Sequence, residues 1–369
     1  MKILYLSKSI IPSRSANSVH VMKMCQAFSN NGHSVVLLAP NIKKKYEKGV
    51  KDIYEYYGVK KNFIIKKMWH PNFKGGALFY AFSIFIYLII NRNFDLIYGR
   101  FLHGCYLATL LNHKTIFETH EILFNEKNQR YFFFNLLINS NYFKKLIVIS
   151  QALKNIYLKK KFLKESMIQV AHDGADQVEN LNLKIKLSGI DRKLKVGYIG
   201  HLYKGRGIEI ILECAKQIND MTFHIIGGLE EDIKYWKNIS KKLNISNLYF
   251  YGFVSPKETE KYRNSLDIFL APYSNQVTLQ GKGDTSKFMS PLKIFEYMSH
   301  KKPIIASDLP VIREVLNEKN SILVKHDNIN LWISSLQKLK NIKLRKKIAN
   351  QALIDFSNYT WKNRAFLVI

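Results

Sequence analysis

Twice in this chain the same grammar recurs: a short apolar strand, a loop, an amphipathic helix and a second apolar strand. The first passage runs from Ile3–Leu6 through a loop to Ser18, a helical stretch Val19–Asn30, a stop at Gly32 and the strand Val35–Ala39. Its helix carries Val21, Met24, Cys25 and Phe28 at i, i+3, i+4, i+7, one apolar face of a 3.6-residue period. The second passage is Lys195–Ile199, the loop Gly200–Gly207, the helix Ile208–Ile218 and the strand Phe223–Ile226, closed by Gly227-Gly228. Further short apolar runs stand at Leu96–Tyr98, Thr115–Glu118, Leu146–Ile149, Met167–Ala171, Leu248–Tyr251, Ile268–Ala271, Pro303–Ala306 and Ser321–Val324. Alternation of β and α units predicts an α/β fold whose parallel sheets are covered by helices on both faces. Two such starts in 369 residues predict two domains.

The polar, aperiodic stretch 183–192 places the boundary near 188, giving domains 1–188 and 189–356. Residues 357–369 are expected to form a helix returning to the first domain. Three cysteines at wide spacings, Cys25, Cys105 and Cys214, match neither a disulfide framework nor paired metal ligands, which suits a reducing cytoplasm. The N-terminal apolar pattern is too short for a signal peptide. The run Ala77–Ile90 has 14 residues, short of the roughly 20 a membrane span needs. A buried or interfacial helix is the reading.

In doubly wound sheets, ligands sit beyond the carboxyl ends of the strands, so the loops there hold the candidates. Gly200-His-Leu-Tyr-Lys-Gly-Arg-Gly207 joins a strand to a helix with three glycines, Lys204 and Arg206. Backbone amides at a helix start, flanked by cations, form an anion site suited to a diphosphate, although glycine-rich turns before helices are common without one. No Gly-Lys-Ser/Thr follows, so it is not a Walker loop. In Ser290-Pro-Leu-Lys-Ile-Phe-Glu-Tyr-Met298, Ser290 reads as an N-cap and Pro291 as the first helical residue. Lys293 and Glu296, three apart, share a helix face. They form either a surface ion pair or a phosphate-binding cation beside a carboxylate that accepts from a ribose diol.

These pieces, with Ser18-Val-His-Val-Met-Lys-Met24, Gly32-His33, Val148-Ile-Ser-Gln151, Asp173-Gly-Ala-Asp176, Tyr251-Gly-Phe-Val254 and Lys302-Pro-Ile-Ile-Ala-Ser-Asp308, occur in an order that resembles the retaining glycosyltransferases of family 4. The resemblance implies the GT-B architecture, two facing Rossmann-like doubly wound domains with a cleft between them. It implies transfer of a sugar from a nucleotide donor, a UDP- or GDP-sugar, to a hydroxyl of a glycan or lipid-linked acceptor with the anomeric configuration kept. Donor contacts would come from Gly200, His201, Lys204, Arg206, Phe253, Val254, Ser290, Pro291, Leu292, Lys293 and Glu296. His120, in Phe117-Glu-Thr-His-Glu121, would lie near the transferring sugar, and His120, Arg206 and Lys293 would carry the chemistry. Ser15, Asn17 and Ser18 form the acceptor-side loop. Three departures stand out: Phe288 replaces the first glutamate of the family's Glu-x7-Glu motif, His201 stands where a basic residue follows the strand glycine, and 13–18 lacks a glycine pair. Glu118 and Glu121 read as structural carboxylates. No Asp-x-Asp occurs and the eleven histidines show no ligand spacing, so neither a metal nor another cofactor is expected.

The net charge is +29, but of 57 basic residues only 10 are arginine. Scarce arginine and the lack of a recognised motif argue against nucleic acid as a partner. Lys43–Lys67 interleaves lysines with tyrosines, and Tyr131-Phe-Phe-Phe134 adds aromatics. That surface is either a solvated lysine face or a site for the anionic inner face of the cell membrane, as surface-polysaccharide or glycolipid synthesis would require. A sugar-nucleotide epimerase of the same architecture is the alternative enzyme, and the 290–298 segment argues against it. A basic membrane- or nucleic-acid-binding protein without catalysis is the other alternative.

Overall fold

The first strand, β1 (Lys2–Leu6), is buried from Ile3 onward, as a strand covered on both faces must be. The computed structural model of the chain describes residues 1–73, 75–124, 129–279 and 282–369. Beside β1 lie β2 (Ser34–Asn41), β3 (Ile64–Trp69), β4 (Leu96–Gly99), β5 (Thr115–Thr119), β6 (Phe143–Val148) and β7 (Ile168–Val170). All pair in parallel, in the order β3-β2-β1-β4-β5-β6-β7, with Leu4 opposite Val36 on one side and Ile97 on the other. The order reverses between β1 and β4, so the loops leaving these two strands diverge and open a crevice at their carboxyl ends.

The second sheet repeats the plan. Strands β8 (Leu194–Ile199), β9 (Met221–Ile226), β10 (Leu248–Gly252) and β11 (Ile268–Ala271) are followed by a short antiparallel pair, β12 (Thr278–Leu279) and β13 (Lys282–Asp284), and by β14 (Ile304–Ser307) and β15 (Ile322–Val324). The parallel order is β10-β9-β8-β11-β14-β15, with the reversal between β8 and β11. One face is closed by the helix Ile208–Gln217, whose Ile208, Ile211, Leu212 and Ala215 pack with Phe223, Ile225, Trp332 and Leu336.

Helix starts follow local chemistry. Ser15 caps the helix Ala16–Asn30 by accepting from the Ser18 amide, and the hydroxyl of Ser18 donates to the Ser13 and Ser15 carbonyls. Gly207 caps Ile208–Gln217 at φ +73°, and a Cβ there would collide with the Pro272 carbonyl oxygen. Only glycine lets the loop after β8 approach the end of β11 so closely.

The chain divides into two units, Met1–His172 with Trp361–Ile369, and Asp173–Thr360. The stretch 173–188, which the sequence places in the first domain, goes with the second. Ser290 Oγ accepts from the Asp173 amide at 3.0 Å, Asn264 donates to the carbonyls of Asn180 and Leu183, and Ser265 binds both the amide and the carbonyl of Ile185. Such side-chain anchors leave no hydrophobic period. Three strands are not anticipated by the sequence: the short pair β12 and β13, and β3, which lies at the sheet edge and whose exposed Ile64, Lys66 and Trp69 read as charged surface.

Candidate active site

In the second unit the reversal point is built by β8 and the loop after it. Gly200 continues the ladder by donating to the Ile226 carbonyl, then turns at φ +148°. The helix Leu292–Ser299 approaches from the other side and sends Lys293 beneath Gly200, where an added Cβ would stand 2.9 Å from Nζ. Lys293 is 9% exposed, with Nζ 3.6 Å from the ring centre of Tyr198 and 5.3 Å from that of Tyr273. Arg206 lies over the same Tyr273 ring, its guanidinium carbon 5.3 Å from the centre. Among the described residues neither Lys293 Nζ nor Arg206 Nε has a hydrogen-bond partner. Burial, and next the charge of Arg206, hold the Lys293 ammonium well below its usual range, with Glu296 opposing. Two cations converging without a carboxylate partner are costly in an unliganded protein, and an arriving dianion offsets the cost.

The helix begins one residue later than the sequence implies. Pro291 occupies the N-cap position and Ser290 does not cap it; the Ser290 hydroxyl is engaged by Asp173. The Lys293–Glu296 surface pair is also absent. Glu296 forms an ion pair with Arg263, Oε2 to Nη1 at 3.3 Å, and Arg263 Nε donates to His300 Nε2 at 3.2 Å. His300 Nδ1 lies 2.6 Å from the Glu296 carbonyl oxygen, so it carries the ring proton. Burial, then Arg263, push the His300 pKa down to about 2, which keeps the ring neutral and able to accept. Glu296 is thereby fixed at both ends of its residue while its carboxylate stays 28% exposed. His201 stacks on Tyr203 at 4.8 Å between ring centres, Lys204 is exposed, and Phe253 and Val254 lie partly buried in the loop after β10.

In the first unit the focus is Glu118, on β5 and inaccessible to solvent. Its Oε1 is 2.9 Å from His20 Nε2 and 2.5 Å from His120 Nε2, its Oε2 is 3.2 Å from Arg364 Nη1, and the Tyr98 hydroxyl donates to it. Burial alone would raise this carboxyl; Arg364, then His20 and His120, hold it well below the usual carboxylate range. His20 and His120 meet edge to face at 5.0 Å, and Trp361 closes the far side of His20 at 5.2 Å. Arg364 also binds the carbonyls of Ala171 and His172, so the last helix, Trp361–Leu367, is locked onto this cluster. His120 thus sits at the strand end anticipated for it, on a carboxylate read there as merely structural. Glu121 pairs with Arg130 and Lys8. Ser15 and Ser18 are taken up in helix capping, while Asn17 Oδ1 has no partner among the described residues.

Sequence comparison matches residues 18–178 to the model described as Glycosyltransferase Family 4, and residues 193–341 to that of Glycosyl transferases group 1. The chain belongs to glycosyltransferase family 4. An uncharacterized glycosyltransferase of Methanocaldococcus jannaschii is 23% identical across 98% of this family 4 chain and 95% of its own length. The alpha-galactosylglucosyldiacylglycerol synthase of Streptococcus pneumoniae is 26% identical across 38% of this chain and 35% of its own. Among solved structures, a glycosyltransferase from Rickettsia africae superposes with a TM-score of 0.74 at 15% identity, covering 99% of this chain and 96% of that one. Anabaena HepE, in complex with UDP and glucose, gives 0.71 at 16%, covering 99% and 98%. The fold is that of the GT-B glycosyltransferases.

Arg263, His300, His20, Arg364 and Glu118 escape the sequence reading as functional residues. For Arg263 and Arg364 the signal available was the rarity of arginine in a chain that otherwise uses lysine, because a planar, permanently charged fork suits a buried ion pair.

Proposed function

We propose that this family 4 enzyme moves a hexose from a nucleoside-diphosphate sugar to a hydroxyl of a glycan or lipid-linked acceptor with retention of configuration. It would act in surface-polysaccharide or glycolipid synthesis at the inner face of the cell membrane. The observation that carries the reading is the pair Lys293 and Arg206, converging over Tyr273 without a carboxylate partner at the reversal point of the second sheet. A diphosphate is the dianion of matching charge. Glu296, held by Arg263, is assigned to the ribose diol, and the backbone at Phe253-Val254 to the base. UDP is the first candidate because HepE, of the same fold, is found with UDP and with UDP-glucose.

In the reaction the bond between the anomeric carbon and the diphosphate oxygen breaks while a bond to the acceptor oxygen forms on the same face. The acceptor's proton passes to the departing phosphate oxygen. Lys293 and Arg206 stabilise the charge that grows on that oxygen, and because both are fixed in place they require no reorganisation as the bond breaks. Two fixed cations also supply the neutralisation that a divalent ion gives elsewhere, so the transfer is assigned as metal-independent. His120, braced by Glu118, is assigned a hydrogen bond to a sugar hydroxyl.

A thermal-shift panel of UDP, GDP, ADP and their sugar conjugates in EDTA tests this. Stabilisation by one nucleotide, lost in Arg206→Ala and in Lys293→Met, is expected. A shift that needs a divalent ion, or one unchanged in both variants, would overturn the site.

A further inference from the structure

The helix Gly76–Ile90 contains no charged residue in 15 positions, yet only one side of it is buried. Tyr80, Ala81, Ile84 and Leu88 pack inward. Leu78, Phe82, Ile86 and Ile90, spaced four apart, form the outward stripe and are 61%, 59%, 40% and 74% exposed. A helix apolar all round belongs in a core or in lipid, and this one has a core on one side only. The stripe continues into an aromatic cluster at its N-terminal end, where Phe79 meets Trp69 at 5.3 Å and Phe73 at 5.5 Å, both of them 58% exposed. No helix of the described residues is long and apolar enough to cross a membrane, so this surface does not belong to a span.

Positive charge frames the stripe at both ends. Trp69 pairs with Asn41, two residues before the exposed run Lys43–Lys45. Toward the other end Lys66 lies over the Tyr87 ring and Arg92 donates to the Ile89 carbonyl, both side chains being solvent-exposed.

We infer that the outward face of the helix Gly76–Ile90, with Trp69 and Phe73, is inserted into the interfacial layer of an anionic lipid bilayer, its lysine and arginine frame resting on the headgroups. This deepens the proposed function by naming the surface, but the observations behind it are independent of the donor site. Charge selects the occupant. A second copy of this chain would bring like charges together around the stripe, whereas acidic lipid headgroups meet the frame with opposite sign and acyl chains accept the apolar side chains. The aromatics suit the boundary, where amphipathic rings settle.

The test is flotation of the full chain with vesicles of phosphatidylcholine containing about one quarter phosphatidylglycerol, against pure phosphatidylcholine. The chain is expected to float with the acidic vesicles and to be released by salt. Phe82→Asp with Ile86→Asp should weaken binding about 100-fold. Lys66→Glu with Arg92→Glu should weaken it about tenfold. Ile354→Asp, an equally exposed apolar site in the second unit, should leave it unchanged. Should the double aspartate variant lose its native circular dichroism, Phe82→Trp decides: added fluorescence must be quenched by bromine-labelled lipid. Equal flotation of wild type and a folded double variant overturns the inference. So does a wild-type dimer that the double variant dissolves while vesicles leave it unbound, because a second copy then covers the face. The assay reads no activity, so loss of nucleotide binding with flotation intact would refute the donor site alone.

Discussion

Replacing Arg364 with methionine should destabilise the first unit far more than the loss of one side chain on a terminal helix suggests. Arg364 is 3% exposed and serves Glu118, Ala171 and His172 at once, at 3.2, 3.1 and 2.8 Å. Methionine conserves much of the volume but leaves a fully buried carboxylate without its strongest counter-charge. Breaking a buried pair in this way costs about 3–5 kcal/mol. On a unit of this size that is a fall of roughly 6–20 °C in melting temperature. The pH dependence gives a second handle. The folded carboxyl of Glu118 is depressed, so the stability it contributes is complete above its unfolded value of about 4.3 and is lost as pH falls toward the folded one. In the variant the same carboxyl rises, because burial now dominates. The deficit is therefore largest near neutrality and narrows as the solution becomes acidic. Urea unfolding followed by tryptophan fluorescence reads the effect, since Trp361 abuts His20 beside the cluster, and a nucleotide that shifts only the second unit's transition separates the two. A deficit below about 1 kcal/mol, or one that does not narrow toward pH 4, would refute the assignment of Glu118 as an ion held by Arg364.

Lys293→Met should stabilise the unliganded chain by about 1–2 kcal/mol, by removing a buried cation without a partner, while weakening nucleotide binding about 100-fold; opposite signs in melting and titration are the signature. In wild type, diphosphate binding at alkaline pH should take up a proton, because the depressed Lys293 ammonium is restored beside the anion; calorimetry in two buffers of different ionisation enthalpy measures it, and no uptake is expected in the variant. Arg263→Ala releases Glu296 and leaves His300 without its donor, so the donor KM should rise about tenfold, and Arg263→Lys should not restore it. His120→Gln should lower turnover about 100-fold with nucleotide affinity unchanged, which steady-state kinetics and the thermal-shift panel resolve together.

The parallel sheets were legible because a strand buried on both faces must be apolar without interruption, and Ile3–Leu6 or Ile268–Ala271 admit no other reading. The Gly200–Gly207 loop was legible as the turn from a strand into a helix, because glycines so spaced allow the positive φ that Gly200, Gly205 and Gly207 adopt. What escaped is whatever depends on residues far apart in sequence. Nothing near Glu296 indicates that its partner is Arg263 in place of Lys293, 3 residues away, and a helix-surface rule misassigns the pair because Lys293 points inward. β3 escaped because an edge strand has one covered side and its lysines look like loop. Phe288, where the resemblance implies a first glutamate, is buried, with 7% of its surface exposed.

The charge pattern carries one step further. Only ten arginines stand among 57 basic residues, and six of them, Arg14, Arg100, Arg130, Arg263, Arg313 and Arg364, pair with a carboxylate, at Glu47, Glu118, Glu121, Glu296, Asp308 and again Glu118. If the lysine excess is a solvated coat, the arginines form the skeleton, since a fork of five donors that cannot lose its proton is the group that holds an ion pair against burial. Arg206 is unlike these six: it lies over Tyr273, its charge acts on Lys293, and it has no carboxylate partner among the described residues. In a chain that matches six of its ten arginines to carboxylates, an arginine placed beside a buried lysine is a site left for an anion that arrives from solution. Exchanging Arg206 for lysine keeps the charge and removes the fork. If the anion is a diphosphate gripped through two oxygens, Arg206→Lys should lose about tenfold in nucleotide affinity; equal affinity would mean that a point charge suffices and that bidentate contact is no part of recognition.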